Sequence, residues 1–160
     1  MIPTRDEAWA LLTEHTQKDS LLKHALAVEA AVLGYARKFA EDERSWGIVA
    51  LLHDFDYERW PDAENHPFRG SEILRERGYS EFIIRAILSH ADYSGVARES
   101  RLEHTLFACD EMAGFVTAAA LVRRPRRQPR RRAVRLPLSG GGRHSAQFGL
   151  PETHRDDYSR

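Results

Sequence analysis

Several polar side chains in this sequence stand where a packed helix would carry an apolar one. His24 has Leu21 three positions before it and Ala27 and Val28 three and four after it, so it points inward. His53 and Asp54 close the most hydrophobic run of the chain, Ile48-Val49-Ala50-Leu51-Leu52. His90 follows Ile83, Ala86 and Ile87, and Asp110 has Leu106, Phe107, Ala113 and Gly114 as helical neighbours. Taken singly, an inward histidine reads as a hydrogen-bonded core residue and an inward aspartate as a cap or ion-pair partner. Taken together, imidazoles and two carboxylates converging from separate helices suit a divalent cation with mixed nitrogen and oxygen ligands. A bound cation also offsets the desolvation of the buried carboxylates, which otherwise costs several kcal/mol each.

The elements that must position these groups read as helices. Thr4 and Glu7 have capping-box spacing ahead of Ala8, Trp9, Leu11 and Leu12. A second helix is predicted from Ser20 to Ala40 with the stripe Leu21, Ala25, Val28, Val32 and Tyr35, flanked by Ala27 and Ala31, and a third from Glu43 to Phe55. Residues 56–66 are polar, contain Pro61 and read as a loop. Pro67 suits a first helical position, and Gly78 ends the helix that follows. Ser80 is placed to cap a helix carrying Phe82, Ile83, Ile84, Ile87 and Leu88. Ser100 and Glu103 give a second capping-box spacing, opening a helix to Val122. No stretch alternates with period two long enough to form a strand. The predicted class is all-α.

The order His, His-Asp, Asp, with its flanks, resembles the HD superfamily of metal-dependent phosphohydrolases, in its small stand-alone bacterial form. The resemblance is carried by His53-Asp54-Phe55-Asp56-Tyr57-Glu58, Asn65-His66-Pro67, Gly70-Ser71-Glu72-Ile73-Leu74, Ala86-Ile87-Leu88-Ser89-His90-Ala91 and the segment Ala108-Cys109-Asp110-Glu111-Met112-Ala113-Gly114-Phe115, and it covers residues 5–122. It implies a compact helical bundle with the metal site between the central helices. It also implies His24, His53, Asp54 and Asp110 as primary ligands, and His66 and His90 as holders of a second metal or contacts to the substrate phosphate.

The chemistry so implied is hydrolysis of a phosphate ester, a nucleotide or other small phosphorylated metabolite, with Asp54, His66 and His90 at the catalytic centre. A divalent cation activates the attacking water and polarises a phosphoryl oxygen. The ligand mix suits Mn, Fe, Zn, Co or Ni, and Mg less, as one or two ions. Asp56 or Glu58 is placed to orient water or a histidine, unless both are solvated loop charges. Lys23 and Arg69 are the nearest cations in sequence for phosphate. A non-catalytic metal-binding or regulatory domain is the alternative. His104, six residues before Asp110 and so about 240° round the helix, faces away from the site. His15, His144 and His154 read as surface residues, and Cys109 as a packing residue.

The composition divides the chain. Residues 1–122 hold 13 basic and 21 acidic residues, a net of −8, whereas residues 123–160 hold 11 and 3, a net of +8. The formal charge of zero is therefore a sum over two unlike segments. From Arg123 onward the sequence is rich in Arg, Pro, Gly and Ser and lacks apolar periodicity, which predicts an irregular tail. An abrupt change of this kind also predicts a frameshift near codon 123, which would leave apolar surface exposed on the 1–122 domain. The tail has no interleaved aromatic platform, so nucleic-acid contact is the weaker reading of its charge. A single cysteine forbids an intrachain disulfide and fits a reducing, cytoplasmic setting. No uninterrupted apolar stretch reaches the roughly 20 residues that span a bilayer, and no signal pattern opens the chain.

Overall fold

The structure, a computed structural model, describes residues 1–123. Six helices follow in order: α1 (Arg5–His15), α2 (Asp19–Phe39), α3 (Glu43–Leu52), α4 (Phe68–Glu76), α5 (Glu81–Leu88) and α6 (Arg101–Val122). Among the described residues there is no strand. Both capping boxes form: Thr4 with Glu7 at the start of α1, and Ser100 with Glu103 at the start of α6. The tail beyond Arg123, with His144, His154 and the postulated frameshift product, lies outside the described residues.

The centre of the bundle is α3, whose residues Ser45 to Leu52 are all buried. A helix apolar on every face needs neighbours on every face, and α3 is packed by α1, α2, α5 and α6. Gly47 allows α2 its close approach, because a Cβ there would lie 3.1 Å from Leu33 Cδ2. The inner face of α2 consists of Ala25, Val28, Glu29, Val32 and Ala36. Glu29 is the one charge in that stripe. Its carboxylate accepts from Arg5 Nε and Nη2 at 2.7 and 2.8 Å, a bidentate pair that ties α1 to α2.

Several predicted details differ. The stripe of α2 is rotated from the expected one: Tyr35, Ala27 and Ala31 are exposed, and Glu29 and Ala36 replace them inside. The third helix stops at Leu52 rather than Phe55, and a series of turns carries the chain from His53 to Arg59. Ser80 occupies the N-cap position of α5, but its hydroxyl is buried and caps nothing. Pro67 is the N-cap of α4 rather than its first helical residue. His15 is buried, not a surface residue, and packs edge-on against Phe55 with ring centroids 5.2 Å apart. Helix α6 is long and apolar enough in length and composition to cross a membrane. Counting uninterrupted apolar residues missed this, because Asp110 and Glu111 break the run. The first half of α6 is buried through Leu102, Leu106 and Cys109, while Met112, Phe115, Val116, Leu121 and Val122 on its second half are exposed.

Candidate metal centre

The helices bring the chemical groups to one place from four directions. His24 comes from the first third of α2, Asp110 from the middle of α6, and His53 and Asp54 from the first turn beyond α3. His66 precedes α4, and His90 lies two residues past the end of α5 rather than on it. Two groups of candidate ligand atoms result, each within 4.8 Å: His24, His53, Asp54 and Asp110, and then Asp54, His66 and His90.

Asp54 belongs to both groups, and its two oxygens divide between them. Oδ2 faces His53 Nε2 at 3.4 Å and His24 Nε2 at 3.9 Å. Oδ1 faces His66 Nε2 at 3.2 Å and His90 Nε2 at 3.3 Å. Asp110 Oδ1 meets His24 Nε2 at 2.9 Å and lies 3.5 Å from His53 Nε2.

The other ring nitrogens explain this orientation. His53 Nδ1 donates to the Ala50 carbonyl at 2.7 Å, His90 Nδ1 to the Ile87 carbonyl at 2.5 Å, and His66 Nδ1 to Asp56 Oδ1 at 2.7 Å. With Nδ1–H so committed, each neutral ring turns its Nε2 lone pair toward Asp54. Lone pairs facing a carboxylate repel it, and His66 Nε2 and His90 Nε2 are themselves only 3.3 Å apart. His53 Nε2 is fully buried and has no hydrogen-bond partner among the described residues. A divalent cation resolves all of these conflicts at once, so the donors fit a metal centre of mixed imidazole and carboxylate type.

Protons are the competing solution, and the electrostatics show how strongly the centre wants positive charge. Complete burial pushes the His53 imidazolium down, but Asp54 and Asp110 outweigh it and hold the ring well above its ordinary value. Burial likewise opposes the charged form of His66, yet Asp54 and Asp56 raise it to about 9. Asp54 and Asp110 are held well below the usual carboxylate range against their burial, Asp54 by the rings of His53, His66 and His90 and Asp110 by those of His24 and His53.

A match to the family model described as HD domain, over residues 21–126, agrees with this arrangement of histidine and aspartate. The chain belongs to the HD domain family. No curated protein and no solved structure matches it. HD domain proteins bind divalent metals and are for the most part metal-dependent hydrolases. The helical HD fold and its cluster are thus both present in this chain.

The surrounding residues sort themselves by their contacts. Asp56 is a buried brace: Oδ1 accepts from His66, and Oδ2 accepts from the Gly70 amide at 2.8 Å. Gly70 lies in the first turn of α4, where free amides favour an anion. A Cβ there would stand 2.8 Å from Asp56 Cγ, so the brace requires glycine. Glu58 plays no part in the cluster and instead accepts from the Gln17 and Lys18 amides ahead of α2, at 2.7 and 2.9 Å. Lys23 is paired with Asp19, and Arg69 with Glu72 and Asn65. His104 is exposed, and Cys109 is buried. Tyr57 was not singled out by sequence, yet its ring stands edge-on to His66 at 5.2 Å. Its spacing three residues after Asp54 was the available signal.

Proposed function

We propose that this chain is a phosphohydrolase that cleaves a small phosphate ester, a nucleotide or another phosphorylated metabolite. The observation that carries the reading is the division of Asp54 between two groups of imidazole lone pairs, which suits a pair of cations sharing one carboxylate. His24, His53, Asp54 and Asp110 would hold one ion, and Asp54, His66 and His90 a second. A bound divalent cation of the Mn, Fe, Zn, Co or Ni type supplies Lewis acidity, making water a better nucleophile and polarising a phosphoryl oxygen.

The protein's own contribution is orientation. The Ala50 and Ile87 carbonyls and the Asp56 carboxylate hold three rings with Nε2 facing inward, so little reorganisation accompanies the reaction. On this reading the phosphoryl group would bind against the ion held by Asp54, His66 and His90. A reducing, cytoplasmic setting accords with the single buried thiol of Cys109.

Metal analysis of the purified chain, coupled to phosphate release from a panel of esters, tests the reading with Asp54→Ala as control. Tightly held metal with no turnover of any ester would favour a non-catalytic metal-binding domain instead. Turnover that survives Asp54→Ala unchanged would remove this site from the reaction.

A further inference from the structure

We propose that Tyr57 and Tyr93 form the grip for the substrate's organic group, and that this group is planar, as in a nucleoside monophosphate or an aryl phosphomonoester. The inference rests on the phosphohydrolase reading and specifies its substrate.

Each ring lies three residues beyond a member of the Asp54–His66–His90 group. The Tyr57 amide donates to the Asp54 carbonyl at 3.0 Å, so the two share one turn. Its ring stands at 87° to the His66 ring. Tyr93 sits on the 3-10 turn Asp92–Ser94 that follows His90. The Ser94 amide donates to the Ala91 carbonyl at 3.0 Å, so this turn follows directly on His90. Tyr57 is 38% and Tyr93 52% exposed, so both keep ring surface available beside a strongly polar centre.

The turn carrying Tyr93 is held firmly. Arg98 donates to the Ser89 carbonyl at 2.8 Å, pairs with the Asp92 carboxylate, and lies over the Phe107 ring at 3.9 Å. That guanidinium is thereby engaged, as are Lys23 with Asp19 and Arg69 with Glu72. A polyphosphate draws on several cationic side chains along its length, and Arg98, Lys23 and Arg69 each already face a carboxylate. Aromatic faces beside a cation site suit a single phosphoryl group with a flat substituent, because stacking is indifferent to the identity of the base.

Equilibrium binding of AMP and of glycerol phosphate to the metal-loaded full chain tests the proposal, with KM for the same two esters as a second readout. The wild-type chain is expected to prefer AMP. Tyr57→Leu or Tyr93→Leu should cut that preference about tenfold, the loss of one stacking partner. Tyr57→Phe and Tyr93→Phe should retain it, with metal content equal to wild type throughout. Equal affinity for the two esters, failure to bind AMP, or a preference indifferent to both leucine variants would overturn the proposal. The two readings fail separately. Tyrosine-dependent AMP binding without phosphate release refutes the hydrolase alone, while release of phosphate from every ester alike, regardless of Tyr57 and Tyr93, refutes the grip alone.

Discussion

The two ligand groups that meet at Asp54 are held by different means. His24 and Asp110 are fixed by the packing of α2 and α6 around α3, through contacts between residues up to 86 positions apart. His66 and His90 lie on turns, and the position of His66 depends on a single buried carboxylate that also binds the Gly70 amide. The first group is therefore as rigid as the bundle, and the second as rigid as one hydrogen-bonded brace. The two should fail independently except at the residue they share.

Asp54→Ala removes that shared residue and should give the largest effect. Metal content should fall for both groups, and hydrolysis by more than about 100-fold, since even partners outside the ligand set cost 10–100-fold in metal affinity or activity. Retention of two ions per chain by this variant would break the comparison. Gly70→Ala should separate the groups. Its Cβ would stand 2.8 Å from Asp56 Cγ and 2.9 Å from Phe55 Cε1, so Asp56 must move. Overpacking of this kind costs about 1–3 kcal/mol, visible as a lower midpoint in thermal denaturation. The second ion should weaken about 10–100-fold while the first is retained. Equal weakening of both in a metal titration would show that the brace supports the whole centre.

Acid should distinguish them next. In the metal-free protein His66 keeps its proton up to about 9. A ligating Nε2 must be free of it, so binding to the second group displaces one proton and its affinity should fall about tenfold per pH unit below that value. Calorimetric titration in buffers of different ionisation heat measures the displaced protons directly. A second-site affinity that is flat between neutral pH and about 9 would contradict the raised His66.

The first group and His90 were legible from their apolar neighbours, whereas His66 was legible only by resemblance, and one physical reason covers both. Helical periodicity states where a side chain points, and it placed His24 and Asp110 inward, and His104 outward, from their neighbours alone. Turns have no such period, so neither the Asp56–His66 bond nor the position of His90 beyond α5 follows from spacing. The rotation of α2 was missed because alanines such as Ala27 and Ala31 suit either face, while the paired Glu29 looks like an exposed residue until Arg5 is seen beside it. His15 is a different case. It stands four residues after Leu11 and three after Leu12, both buried, so the rule that turned His24 inward applied to it equally.

His15 also supplies the smallest prediction, one that separates acid sensitivity of the ligands from that of the scaffold. Its ring nitrogens are buried and without hydrogen-bond partners among the described residues, and Glu14 Oε1 lies 3.6 Å from Nε2. Burial is the main cause that lowers its pKa, with Arg59 next and Arg77 in the same direction, while Glu14 and Asp56 oppose them. The unfolded chain thus binds this proton more readily than the folded one, so folding stability is complete above the ordinary histidine value of about 6.5 and is lost as pH falls through the lowered folded value. The ring packs on Phe55, whose carbonyl is anchored by the Thr16 hydroxyl at 2.9 Å, immediately beside the shared ligand Asp54. His15→Leu retains an apolar contact there and cannot take up a proton. In metal-free protein it should lessen the fall in thermal midpoint between about pH 7 and pH 5. An unchanged slope would assign the whole acid response to the cluster. A shallower slope would show that the wall behind Asp54 carries part of it.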